Sequence, residues 1–457
     1  MISKETLDII NADLNAVYVT NSNKTRRTVN VCNDDLTPNS VPFLNNNERL
    51  KTVGHSLDIK EMLESTSNSN SDYTAHLKIY NQIIAYYNIL GIFFGIEVRH
   101  DWKMTHHFTF WLTNFLLLTA NCYVPYNFYY HISNGDYLRI LEPLALCGIL
   151  LTSDLKWFVF LKNWRVLFGL FFVAEKRCKE NLTNGTRAAT ITGGLKRTRT
   201  VIKAYTIGVI AVLLFYVAVP IKYYLVDGIF IPLMPIKTPF VDEDTLNGWL
   251  IASTIHGILG LYSGISTIMF GAGFLICICD YIFLVELIAL DWKDLNEMWN
   301  GESLTSTAFR HSFLHNICKK LQDMRSYMKQ VKKMYERKFF IYFIISYLGE
   351  VLCLYQINKI NWIPGYTTAC MVFIEMMFYC YVGTQLSITD DKMCFYVQQT
   401  DWYTFNLYSQ KMLQKILHLC QQPNEISLKS LGALNMVTGT QIVKGIYTYY
   451  TLLTELF

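Results

Sequence analysis

The sequence predicts an all-α membrane protein with seven transmembrane helices, a cytoplasmic N-terminus and an extracellular C-terminus. Three observations carry that expectation. Hydrophobic residues make up 52% of the 457-residue chain and charged residues only 17%, against about 25% charge in ordinary soluble domains. Apolar runs of the roughly 20 residues that cross a bilayer recur along the chain. Lysine and arginine gather in alternate connections, as the positive-inside rule expects of cytoplasmic ones. A formal net charge of +4 is too small for a nucleic-acid face, and 24 glycines with 10 prolines exclude a collagen-like chain.

Residues 1–76 hold no apolar run and read as a polar cytoplasmic segment, with Glu64–Asp72 a flexible linker. The opening Met1-Ile2-Ser3-Lys4-Glu5 does not read as a secretory leader. Residues 77–97 are apolar and aromatic but carry Lys78, Asn81, Gln82 and Asn88, which predicts a short or re-entrant helix. The spans follow at Phe108–Tyr130, Tyr137–Leu161 and Ile202–Val226. A fourth starts near Trp249 and keeps a helical pattern to about Leu290, roughly 60 Å and twice a bilayer, so its second half must project out. The fifth is Phe339–Gln356, the sixth Thr367–Leu386, and the last runs from about Leu434 to Phe457.

Orientation follows from the connections. Lys162 to Arg199 includes nine basic residues between spans two and three, and Lys319 to Lys338 includes eight after span four. Asp227, Asp242, Glu243 and Asp244 lie after span three, with only Lys237 nearby. The basic connections are therefore expected inside and the acidic one outside. Asn181-Leu-Thr183 and Asn184-Gly-Thr186 are glycosylation sequons, and this topology leaves them cytoplasmic and unmodified.

Cysteine carries little, because most of the 12 sit in apolar runs as small hydrophobes. The sequence has no Gly-rich phosphate loop, HExxH or nucleophile elbow, so neither an enzyme nor a cofactor is expected. His106-His107 and the pair His311 and His315 supply too few ligands for a metal site. Three ionisable residues inside spans stand out: His256, Glu350 and Glu375. They read equally as polar groups beside a ligand or as inter-helix hydrogen bonds, and neither carboxylate has a cationic partner within its own span.

In the C-terminal third, Gly383-Thr-Gln-Leu386 is followed by Asp401-Trp402-Tyr403, the amphipathic Lys411–Leu417, Gln421-Gln422-Pro423 and Leu428-Lys-Ser-Leu431. Lys444-Gly-Ile-Tyr447-Thr448-Tyr449-Tyr450-Thr-Leu452-Leu453 closes the series, and Leu90-Gly91-Ile92-Phe93 lies upstream. In the order and spacing of these fragments the chain resembles the insect odorant receptor family. The resemblance implies the odorant-binding subunit of a tetrameric, ligand-gated, non-selective cation channel in the plasma membrane of sensory dendrites. Its implied partners are a small volatile ligand, membrane lipid and the co-receptor Orco in a heterotetramer, with a homotetramer left open. It also implies a division into a ligand-binding bundle (77–290), an anchor loop (291–338), spans five and six (339–386), an anchor helix (387–433) and a pore-lining helix (434–457).

Helical spacing puts Thr448, Leu452, Glu455 and Leu456 on one face. The resemblance places Leu452 at a hydrophobic gate, with Glu455 and Leu456 just outside it; family members often carry Gln where this chain has Glu455. The resemblance locates the odour pocket among spans two, three, four and six, without fixing residues. Apolar and aromatic side chains with a few polar groups suit a volatile ligand. On that basis the expected lining is Leu146, Leu150, Phe215, Tyr216, Val219, His256, Leu259, Tyr262, Ile265, Met371 and Glu375. A gustatory receptor is the nearest rival, but its final Gln-Phe pair is replaced here by Glu455-Leu456. A seven-helix G-protein-coupled receptor would need an Asp/Glu-Arg-Tyr triplet and an Asn-Pro-x-x-Tyr motif, both missing.

Overall fold

The computed structural model describes residues 75–97, 108–135, 140–180, 185–231, 233–234, 236–300, 307–360 and 363–456. The polar segment 1–74, His106-His107 and the sequon asparagines Asn181 and Asn184 lie outside the described residues. The helices are α1 (Ala75–Ile92), α2 (Phe108–Ser133), α3 (Leu141–Glu180), α4 (Gly185–Asp227), α5 (Leu246–Asn300), α6 (Thr307–Ile360), α7 (Ile363–Gln398), α8 (Leu407–Cys420) and α9 (Met436–Leu456). No strand occurs among the described residues, where Ser427 and Ala433 form one isolated bridge. Five helices, α3 to α7, are long and apolar enough to cross a membrane.

Two basic stretches read as connections from the sequence are largely helical. α3 continues to Glu180 before α4 starts at Gly185, and α6 begins at Thr307, far upstream of the apolar run at Phe339. The cause lies in the spacing. Leu314, Ile317, Leu321, Met324, Met328, Val331 and Tyr335 recur at alternating steps of three and four and are all buried. Charges on α3, α4 and α6 reach across helix interfaces to carboxylates of α5. Arg177 meets Asp280 at 2.5 Å, while Asp291, 1% exposed, holds Arg187 at 2.5 Å and Lys320 at 2.7 Å. A helix carrying both a continuous apolar stripe and paired charges needs no bilayer around it.

The core is aromatic where α5, α6 and α7 cross. Phe274 packs edge-to-face on Phe339 at 4.8 Å, and Phe339 lies 4.9 Å from Tyr379. α1 lays Leu77, Tyr80, Ile83, Ile84 and Tyr87 into this core, and the Tyr80 hydroxyl donates to the Phe171 carbonyl at 2.6 Å. Its last turn explains the Leu90-Gly91-Ile92-Phe93 fragment. The Ile96 amide folds back to the Gly91 carbonyl at 2.9 Å, and a Cβ on Gly91 would meet the Ile96 carbonyl oxygen at 2.4 Å.

The segment joining α7 to α9 is fixed by its polar residues. Asn424 donates to Asp390 and to the Tyr281 hydroxyl, which itself donates to Asp390. Arg325 grips both the side chain and the carbonyl of Gln422, at 2.6 and 2.8 Å. Asn406 caps α8 by accepting from the Ser409 amide, and His311 bonds Asn406 and Ser409 through its two ring nitrogens. Burial pushes the Cys420 thiol up to about 12, so it stays protonated and inert at neutral pH. α9 is then seated on α7. The Met436 amide donates to Thr384 Oγ1 at 2.9 Å, and Asn435 caps the helix through the Thr438 amide.

Candidate functional site

A chain of polar contacts runs through the middle of the apolar helices. Lys156 of α3 places its ammonium 2.6 Å from Glu375 of α7, with the side chains 4% and 6% exposed. The same ammonium donates to Thr267 of α5 at 2.7 Å and lies 5.3 Å over the ring of Tyr342 of α6. Tyr379 donates its hydroxyl to the same carboxylate oxygen at 2.7 Å. Four helices thus meet on one ion pair. Each charge has several partners, the condition under which a buried pair is tolerated. Glu375 was expected to lack a cation on its own span; its cation comes from α3. Lys156 was missed, although a lysine within the expected second span was itself the signal. Glu350 is buried on α6.

Beside the pair is a cavity of about 30 Å³ lined by Lys156, Trp157, Ser266, Met269, Phe270 and Tyr335, among others. That volume is about one water molecule. None of the expected pocket residues lines it. Tyr262 stands next to it, edge-on to the lining residue Phe94 at 5.7 Å.

A second polar group caps the other end of the bundle. The segment after α4 folds back over α2, α4 and α5. Asn127 bonds the backbone of Lys237 in both directions, at 3.1 and 2.7 Å, and Tyr216 donates to the Leu233 carbonyl at 2.6 Å. The Trp249 indole donates to the Ile231 carbonyl at 2.8 Å. Below this cover His256 is fully buried, with Nε2 3.4 Å from Thr238 Oγ1, its ring against Tyr123 at 6.5 Å, and Nδ1 unpaired.

The expected pocket residues therefore fall into separate groups. Tyr216 and His256 share the outer cover, whereas Glu375 joins the ion pair. Tyr262 and Ile265 pack against the main core, and Met371 packs with Tyr205, Val209 and Ile268. Leu150 and Val219 are half-buried and Leu259 is buried. Phe215 is 62% exposed on α4, facing away from the bundle. Leu146 lies on α3, with its side chain outside the described set.

The four expected gate residues lie together. α9 buries Thr438, Gly439, Ile442 and Ile446 against its own bundle. Thr448, Leu452, Glu455 and Leu456 are exposed, along with Gln441 and Lys444. Thr448 donates its hydroxyl to the Lys444 carbonyl at 2.9 Å. One side of this helix is seated on α6 and α7, and the other is presented outward.

The comparisons agree with this architecture. A profile of the 7tm Odorant receptor family matches residues 175–447. The putative odorant receptor 83c of Drosophila melanogaster is 21% identical over 395 residues, covering 81% of this chain and 95% of that protein. The insect olfactory receptor OR5 from Machilis hrabei, solved in complex with eugenol, superposes with a TM-score of 0.66 at 17% identity. The match covers 85% of this chain and all of that one. A further structure of the same receptor gives a TM-score of 0.66 at 15% identity over 84% of this chain. Because the family profile extends over more than half of its length, the protein belongs to the insect 7tm odorant receptor family.

Proposed function

We propose that the chain is the odorant-binding subunit of a tetrameric cation channel that opens when a small volatile ligand enters the helical bundle. The observation that carries this reading is the two-sided character of α9. Its Thr438–Ile446 side is buried, while its polar side, from Gln441 through Thr448 to Glu455, is exposed in the single subunit. Four copies facing one axis cover that side and create a water-filled path, with Leu452 as an apolar constriction that blocks ions by dewetting. α2 and α9, added to the five apolar helices, complete seven spans. The N-terminus is then inside and the C-terminus outside, in the plasma membrane of sensory dendrites.

The ligand reading rests on the cover over His256 and on the ion pair beneath it. Both give directional polar groups inside an apolar bundle, the pattern of a small-molecule site. The cavity beside the ion pair measures about 30 Å³, so an odorant seated there requires its neighbour Tyr262 to repack. The co-receptor Orco is the expected partner. Co-expression of the two chains, followed by odour application to excised patches without GTP, should evoke a cation current. Absence of current without GTP would refute the channel reading, and current from this chain alone would replace the heteromer by a homotetramer.

Glu455 gives a narrower test. At about 10 Å in water one carboxylate favours a divalent over a monovalent cation by about 0.4 kcal/mol, about twofold in selectivity. Glu455→Gln should therefore lower the calcium-to-sodium permeability ratio about twofold in reversal-potential measurements. An unchanged ratio removes Glu455 from the pore.

A further inference from the structure

The cover over His256 carries one large side chain that the protein itself does not pack. Phe240 is fully exposed, at 104%. Its φ is 62°, a left-handed backbone that costs energy for a bulky L residue and persists where the surroundings impose it. Here they do. The Thr238 amide donates to Glu243 Oε1 at 2.7 Å, and the Val241 amide donates to the Thr238 carbonyl at 3.4 Å. Asn127 clamps Lys237 on the other side of the turn. No protein contact of the ring offsets this strain. The depth of the turn shows what surrounds the ring instead. Thr238 is held at His256, about 15 Å along α5 from its first residue. Just past Phe240 the chain is level with the start of α5, where the Asp242 carbonyl lies against Gly248 and accepts from the Thr245 amide. Phe240 therefore sits between these two levels. Over the same stretch α5 exposes Leu246, Leu250 and Ile251, and α4 ends with Leu225 and Val226 exposed, followed by Ile229. Tyr224, Phe230 and Trp249 stack on one another at 5.2–5.8 Å, the residue types of a membrane–water boundary.

We propose that Phe240 fastens the cover over His256 to the outer leaflet, its ring lying among lipid acyl chains. Asn127 and Glu243 hold the inner side of the cover to the bundle, and the ring holds its outer side to the bilayer. The loop is thus attached to lipid without being a span, and the packing of the leaflet bears on how firmly His256 is covered. That the leaflet is the outer one rests on the orientation proposed above. The lipid contact does not, and it holds whether or not the chain forms a channel.

The test uses the full chain in phosphatidylcholine nanodiscs, which makes it blind to orientation and to channel activity. With the photoreactive p-benzoylphenylalanine in place of Phe240, illumination should join protein to lipid as fully as the same group in place of Leu261, an exposed apolar residue further along α5. In place of Gln414, exposed on α8, it should give no lipid adduct. A yield at Phe240 no greater than at Gln414, or a crosslink to a second protein chain instead, overturns the contact. Hydrogen exchange of the Lys237 and Thr238 amides reads the hold on the cover. Phe240→Gln leaves the left-handed turn in place and removes the apolar ring, so exchange should quicken about tenfold, the effect of losing the burial of one aromatic side chain. Phe240→Leu should stay close to wild type. Because no protein atom covers the ring, lost packing within the chain does not produce this pattern. Equal exchange in Phe240→Gln and wild type overturns the anchoring role, as does equal acceleration by Phe240→Leu.

Discussion

Replacing Lys156 with methionine destabilises the protein by about 3–5 kcal/mol, the range for a buried charge left without its partner. Glu375 is then left with the Tyr379 hydroxyl and no cation. Replacing both, as Lys156→Met/Glu375→Met, returns most of the loss, because two methionines fill a similar volume without a charge to solvate. Whole chains in detergent, followed by their melting midpoints, provide the measurement. A single variant as stable as wild type, or a double variant no better than the single, would show that the pair does not hold α3 to α7. The double variant is also informative in recordings. Stability recovered without odour response would assign the pair to ligand recognition or to the transmission of binding along α7.

Gly383→Ala should abolish the odour-evoked current of the proposed channel through a backbone collision. A Cβ at this position would sit 1.9 Å from the Leu434 carbonyl oxygen and 2.8 Å from its carbon. Neither is the flexible end of a side chain, so the chain entering α9 must move. Movement there strains the Leu434 amide bond to Ile426 and the Met436 amide bond to Thr384. Overpacking of this kind costs about 1–3 kcal/mol even where side chains can adjust. Thr384→Val, which removes only the acceptor, should cost about 1–3 kcal/mol, the penalty of leaving one donor unsatisfied. Melting midpoints and current amplitudes together decide. Normal values of both in Gly383→Ala would mean that α9 is not seated through this contact.

These two residues mark what the sequence made legible and what it hid. Gly383-Thr384 stood out as part of a motif, yet its purpose became visible only with Leu434 and Met436 packed against it. The same holds for Gly91, whose need for a missing side chain depends on a fold-back five residues away. The number and order of the apolar runs were readable, since solvent class follows from composition. The length of α6 was readable too, in the three-and-four spacing from Leu314 to Tyr335, but its dense lysines read as a connection. The pocket face resisted for a different reason. In helices apolar on all sides, such as α4, periodicity does not say which side is in. Phe215 was therefore placed inward although it is exposed, and Lys156, whose charge should have drawn attention, was passed over.

α6 runs unbroken for 54 residues without a proline, about 80 Å of stiff rod. Tyr342 under the ion pair, Tyr347 against α9, and Lys320 and Arg325 at its far end all ride on it. A tilt of about 5° about its midpoint carries each end through about 3.5 Å, more than the length of a hydrogen bond. Such a rod converts bilayer thickness into mechanical input, because the usual response of a long helix to a thinner membrane is to tilt. On the channel reading proposed above, the odour threshold should therefore shift between short-chain and long-chain lipid bilayers.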